Sequence, residues 1–242
     1  MIKYVIPTTG DASKTVTSIS KVTGETKIYI EGDHLNIFQK YNKSLKSIDI
    51  DDNDIIVFVH DDIEIRDEYI EKKLELYFQY KQHVGIAGVI GTNIFTQDGG
   101  WWLTNRNIDT RGRIIQGSPD GNEYPMVEPG GINDSNIVSV DGCILFMRGS
   151  IAKNFRFDSD TYNGYHFYDV DTCFTLMEQG WHVGIIDILV KHDSEGPLTE
   201  SWYNSKDKFI NKWIKKGYTF PITKIQFKNL NKRTIASGSL VG

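Results

Sequence analysis

The 242-residue chain is sparing with cysteine: there are only two, Cys143 and Cys173. Each sits in an apolar pattern and reads as a small core residue. No metal-ligand spacing surrounds either, and such usage fits a reducing compartment. Long hydrophobic runs are also missing, since nothing approaches the ~20 residues of a membrane helix. The opening Met1-Ile2-Lys3-Tyr4-Val5-Ile6-Pro7 has neither the apolar core nor the small-residue cleavage site of a signal peptide. These absences predict a cytoplasmic protein with no integral membrane segment. Basic excess is lacking as well: the formal net charge of -5 argues against a nucleic-acid partner. No repeat or low-complexity segment occurs. No glycine-rich phosphate loop with a lysine is present either, because Pro7-Thr8-Thr9-Gly10-Asp11 offers one glycine and no cation.

What remains is the composition of a globular chain, 39% hydrophobic and 24% charged, long enough to bury a sizeable core. Its most informative stretch is Ile55-Ile56-Val57-Phe58-Val59-His60-Asp61-Asp62. Five apolar residues stop abruptly at a histidine and two carboxylates, the pattern of a strand buried on both faces. In open α/β sheets, ligands bind beyond the carboxyl ends of such strands. Paired carboxylates there suit a hard divalent cation, or they cap a following helix.

Other segments fit the same plan. Tyr4-Val5-Ile6 predicts an opening strand that ends in Pro7, Thr8, Thr9 and Gly10, and Lys27 to Ile30 predicts a second strand ending at Glu31. Leu35, Phe38, Tyr41 and Leu45 recur at helical spacing with Asn42 near the same face; a polar amide there needs a partner, a neighbouring backbone group or a ligand. A helix is expected over about 67–82 and a buried strand over 84–91. Residues 92–136 show no regular pattern. They hold Trp101 and Trp102, which are core anchors or stacking surfaces, and a long loop from Gln116 to Asn136 that suggests a lid or an acceptor-facing surface. The strand-like run 137–147 is interrupted by Asp141-Gly142, marking a bulge, an edge or a site.

The densest cluster is Tyr165-His166-Phe167-Tyr168-Asp169-Val170-Asp171. Val170, Cys173, Phe174 and Met177 follow helical spacing, and Gly180 supplies a stop. Two carboxylates at the start of that helix exceed what capping requires, and one that reaches the right proton can act as a general base. A strand over 183–190 leads to His192, a candidate metal ligand. A last helix over about 200–216 turns Trp202, Phe209 and Trp213 inward.

In this order the motifs resemble the nucleotide-sugar glycosyltransferases of the GT-A fold, particularly small members related to glycosyltransferase family 2. Ile6-Pro7-Thr8 looks like that family's first nucleotide-binding strand. Phe58-Val59-His60-Asp61-Asp62 looks like its Asp-x-Asp strand, with His60 in place of the first Asp. Val140-Asp141-Gly142 matches the acceptor-side strand. Phe167-Tyr168-Asp169-Val170-Asp171 is similar to its Glu-Asp catalytic segment, with Tyr168 in place of Glu.

The resemblance implies an α/β, Rossmann-like open sheet, mostly parallel but mixed, flanked by helices. It also implies one domain over 1–217 (a nucleotide-binding half of about 1–92, an acceptor half of about 93–217) and a C-terminal tail at 218–242. The implied activity is metal-dependent transfer of a hexose from a nucleoside diphosphate sugar, UDP-sugar favoured, to a carbohydrate or other hydroxyl acceptor, with inversion. Asp169 would be the base. Asp62 and His192 would hold Mn2+ or Mg2+ with help from Asp61, while Thr8, Glu31 and Asn42 would meet the nucleotide. Trp101 and Trp102 would stack on sugar, and Asp141 would face the bound substrate. The basic tail, with Lys224, Lys228, Lys232 and Arg233, offers a route to a homo-oligomer. Two rivals are a nucleotidyltransferase on a similar sheet and a non-catalytic nucleotide-sugar or carbohydrate-binding module, the latter suggested by His60 and Tyr168.

Overall fold

The computed structural model describes residues 1–24, 26–118, 120–133, 135–193 and 198–227. The first half of the chain runs β1 (Ile2–Pro7), α1 (Ser13–Val22), β2 (Lys27–Glu31), α2 (Ile37–Ser47), β3 (Ile55–Val59), β4 (Ile63–Ile65), α3 (Ile70–Tyr80), β5 (Val84–Gly88), β6 (Ile90–Thr92) and β7 (Ile94–Phe95). A 3-10 turn over Trp101–Leu103 and the short α4 (Arg106–Asp109) lead to β8 (Thr110–Gly117), β9 (Glu123–Val127), β10 (Ser139–Val140), β11 (Ile144–Arg148) and α5 (Gly149–Ala152). Among the described residues there follow α6 (Tyr168–Glu178), β12 (His182–Ile185), β13 (Val190–His192), α7 (Glu200–Lys215) and β14 (Ile222–Thr223).

The principal sheet has the order β12-β5-β11-β3-β1-β2. Its strands are parallel except for β11, which runs antiparallel to both β3 and β5. Strand alternation explains why the apolar runs are unbroken. Ile56 and Phe58 of β3 point into a core shared with Phe38 and Tyr41 of α2, Phe174 of α6 and Phe209 of α7. Ile55, Val57 and Val59 point the other way, into a core with Ile19 of α1 and Leu74 of α3. A second sheet, ordered β10-β6-β8-β13-β4 with β9 paired to β8, stands beside the first. The chain crosses between the sheets at His60–Asp62, at Val89, at Asp141–Cys143 and after Ile185, so several predicted site residues lie on one seam.

Some expectations change. Asp61 and Asp62 cap no helix, because they form the turn into β4. The expected strands at 84–91 and 183–190 each break in two as the chain changes sheets. The region 92–136 is less irregular than its sequence suggests: β8 and β9 form an antiparallel hairpin whose second strand lies inside the loop expected from Gln116 to Asn136. Of the tail, Ile222 pairs with Phe95, and Tyr218, Ile222 and Phe227 are buried in the core beside α7. Of the four basic residues on which the self-association reading rests, Lys224 is buried, and Lys228, Lys232 and Arg233 lie outside the described residues. No described helix is long and apolar enough to cross a membrane.

Candidate active site

Backbone pairing assembles the site. Ile144 sits opposite Val59, and the His60 N–H donates to the Cys143 carbonyl at 3.0 Å, so His60 is held at the end of β3. β13 pairs antiparallel with β4, His192 opposite Ile63, and the Asp193 N–H donates to the Asp62 carbonyl at 3.2 Å. His192 and Asp62 thus come together from distant parts of the sequence. His192 Nε2 lies 3.5 Å from Asp62 Oδ1, and His60 Nδ1 lies 3.9 Å from the same oxygen. Each of the three residues offers one ligand atom, and these atoms all lie within 4.8 Å of one another. Among the described residues, neither Asp62 Oδ1 nor His192 Nε2, both buried, has a hydrogen-bond partner. Buried polar atoms left unpaired are costly. Two such atoms beside a third donor are what a divalent cation would satisfy, and imidazole and carboxylate are apt ligands for one.

A cavity opens beside this cluster, walled by His60, Asp141, Gly142, Tyr168, Asp169, Trp101 and Trp102, among others. Asp169 reaches it from the first turn of α6. The residue before that helix, Phe167, has a left-handed backbone (φ 69°), a conformation costly for a bulky side chain. Its ring is held against Trp202 and Phe209. Burial, and after it the like charge of Asp141, push the Asp169 carboxyl up to about 7. Burial works against the Asp141 charge too, yet His192 and hydrogen bonds from the Cys143 N–H (2.8 Å) and Trp101 Nε1 (2.7 Å) hold that carboxyl below its ordinary value. Two carboxyls whose environments drive them apart are the usual mark of divided acid–base roles. His60 is held below its ordinary value by burial and then by His192.

A second cavity lies on the other side of His60, lined by Pro7, Thr8, Thr9, Lys40, Asp61 and Tyr165. The Thr8 hydroxyl donates to Asp61, which ties the end of β1 to the turn after β3. Lys40, fully buried, donates to the Thr8 carbonyl at 2.5 Å. Its signal was present in the sequence, one turn after Ile37 and one turn before Ser44 on the inner face of α2, but a lysine there is easily read as solvated.

Trp101 is buried with its N–H on Asp141, whereas Trp102 is partly exposed. Glu31 is paired with Lys43 at 2.8 Å and lines neither cavity. Asn42 also lines neither: its amide donates to the Phe157 carbonyl and accepts from the Phe157 N–H, both at 2.8 Å, so it braces the loop before α6. His60 and Tyr168, read in sequence only as departures from a motif, belong to the site.

Among solved structures, this chain is similar to the crystal structure of GalNAc-T7 with UDP, GalNAc and Mn2+, with 8% identity over 84% of this chain and a TM-score of 0.53. The match covers 45% of that protein, so the chain spans less than half its length. Weaker likenesses are to A197 from STIV (10% identity, 80% of this chain and 82% of that one, TM-score 0.41) and to HddC from Yersinia pseudotuberculosis (12%, 86% and 77%, TM-score 0.36). No curated protein matches. The mixed sheet and its flanking helices are a GT-A fold, the expected architecture. The model of the glycosyltransferase-like family matches residues 17–217, which takes in His60, Asp62 and His192, the Asp141–Asp169 carboxyl pair and α7 alike, and the chain belongs to that family.

Proposed function

We propose that the protein moves a hexose from a nucleoside diphosphate sugar, UDP-sugar first, to an acceptor hydroxyl with inversion at the sugar carbon. The observation that carries this reading is the position of Asp169: a carboxyl poised near neutrality shares a cavity with His60, which also belongs to the cation cluster. Each cavity holds about 140 Å³, below the roughly 300 Å³ of a typical small-molecule site. A nucleotide sugar would therefore span both, its nucleotide by Thr8, Lys40 and Asp61 and its sugar by Trp101 and Trp102.

His60, Asp62 and His192 would hold Mn2+ or Mg2+, which when bound neutralises the diphosphate and eases its departure. GalNAc-T7 with its UDP, GalNAc and Mn2+ supports this assignment by analogy of fold. Asp169 takes the proton from the acceptor hydroxyl as that oxygen attacks the sugar carbon. Asp141, held ionised by its N–H donors, keeps Asp169 basic enough to do so. Two buried, unpaired cysteines support action in a reducing compartment, the cytoplasm.

The test is release of UDP from UDP-hexoses with Mn2+ or Mg2+, together with Asp169→Asn. Turnover that disappears in the variant while UDP still raises its melting temperature is the expected result. Undiminished turnover would remove Asp169 as base. Nucleotide binding with no turnover, for any sugar nucleotide, would favour the binding-module reading that His60 and Tyr168 suggest.

A further inference from the structure

The two departures from the family pattern, His60 and Tyr168, are 108 residues apart in sequence and touch in space: His60 Nε2 lies 2.5 Å from the Tyr168 hydroxyl. That hydroxyl also lies 2.6 Å from the Gly142 carbonyl oxygen. A carbonyl has no proton to give, so the tyrosine's single hydrogen makes that bond. The tyrosine oxygen can then only accept from His60, and the imidazole proton must sit on Nε2. His60 Nδ1 is left with a bare lone pair, and it is Nδ1 that faces Asp62. The bond depends on Gly142 as well, because a side chain at that position would run into the Tyr168 hydroxyl. The ring of Tyr168 is locked between Phe38, Tyr41 and Phe157.

From this geometry we infer that Tyr168 is a positioning residue for the cation: it fixes the tautomer of His60, so that Nδ1 joins Asp62 and His192 as a third ligand. The two departures thus act as one unit, an imidazole and the hydroxyl that orients it. A hydrogen bond to the far nitrogen of a ligating histidine is a recurrent way to set its orientation and basicity. The resulting donor set, two imidazoles and one carboxylate, would favour Mn2+, Co2+ or Zn2+ over Mg2+. This inference rests on the cation assignment of the preceding section, and its test separates the two.

Mn2+ and Mg2+ binding to the metal-stripped protein is measured by calorimetry, without substrate. Wild type is expected to bind Mn2+ more tightly than Mg2+. His60→Ala should weaken Mn2+ binding strongly, and Tyr168→Phe should weaken it by about 10–100-fold while metal-free UDP binding is unchanged. A merely structural tyrosine would lower the melting temperature and leave metal affinity alone. If Tyr168→Phe binds Mn2+ as wild type does while His60→Ala does not, the positioning role is wrong and the cation site stands. If wild type binds neither ion, both fall. Long-range 1H–15N correlation spectra of the metal-free wild type give an answer that needs no variant: His60 is expected to carry its proton on Nε2, and a proton on Nδ1 would overturn the inference.

Discussion

Asp169 and Asp171 stand two residues apart on α6 and meet opposite surroundings. Asp171 is buried at the foot of α7, where it accepts from the Tyr162 hydroxyl and Trp213 Nε1, each at 3.0 Å, and pairs with Lys212 at 2.7 Å. Asp169 faces a cavity with a second carboxylate, Asp141, in place of a cation. Burial raises both carboxyls, but only Asp171 has a lysine to answer its charge. One helix turn thus divides an acid paired with a lysine from the one proposed as the base. Net charge and helical spacing treat them alike, and what tells them apart is the element each one faces.

The comparison can be broken most sharply by exchanging each carboxyl for an amide. Asp169→Asn should cut kcat by about 10²–10⁴-fold and leave the fold intact. Asp171→Asn should do the reverse. It removes the more buried of the two carboxylates that pair with Lys212, leaving Asp158 at 2.8 Å, at a cost of roughly 1–3 kcal/mol, or about 5 °C in melting temperature for a chain of this size. Its kcat well below melting should stay near wild type. Equal loss of activity in both would erase the division.

A smaller effect lies in the pH profile. With the Asp169 carboxyl at about 7, kcat/KM should fall about tenfold per pH unit below that value, and a flat profile down to pH 5 would show that some other group takes the proton. The smallest expected effect is in stability. The folded carboxyl keeps its proton up to about 7, whereas the unfolded one releases it near 4. The folded state therefore loses stability as pH rises through that window. Asp169→Asn lacks this penalty. At pH 8 it should be more stable than wild type by on the order of 1–2 kcal/mol, discounted because the group is partly open to solvent, and at pH 4 the two should melt together.

How much of this was readable in the sequence depended on whether the signal was local. The β3 run and the α6 spacing are local, and both elements formed where expected. Asn42 in an apolar stripe called for a partner, and its backbone partner is Phe157. The β8–β9 hairpin was hidden because its inward positions are Thr110, Gly112 and Ile114, of which only the last is apolar and large, and because β9 carries Pro125, tolerated there since β9 pairs on one side only. The contact of His60 with Tyr168 was not legible at all, because it is made by strand register and by a left-handed residue at the head of a helix. Read separately, each looked like a loss.

The seam between the sheets has a further consequence for length variation. The turn at Asp141–Cys143 joins β10 of one sheet to β11 of the other, so a single inserted residue there would shift Asp141 and the Gly142 carbonyl out of reach of their partners together. The connection from β8 to β9 joins two strands of a single sheet, and its tip is no crossing between sheets. Insertions and deletions are tolerable at that tip and intolerable at the turn, so homologous chains should differ in length at the first and hardly ever at the second.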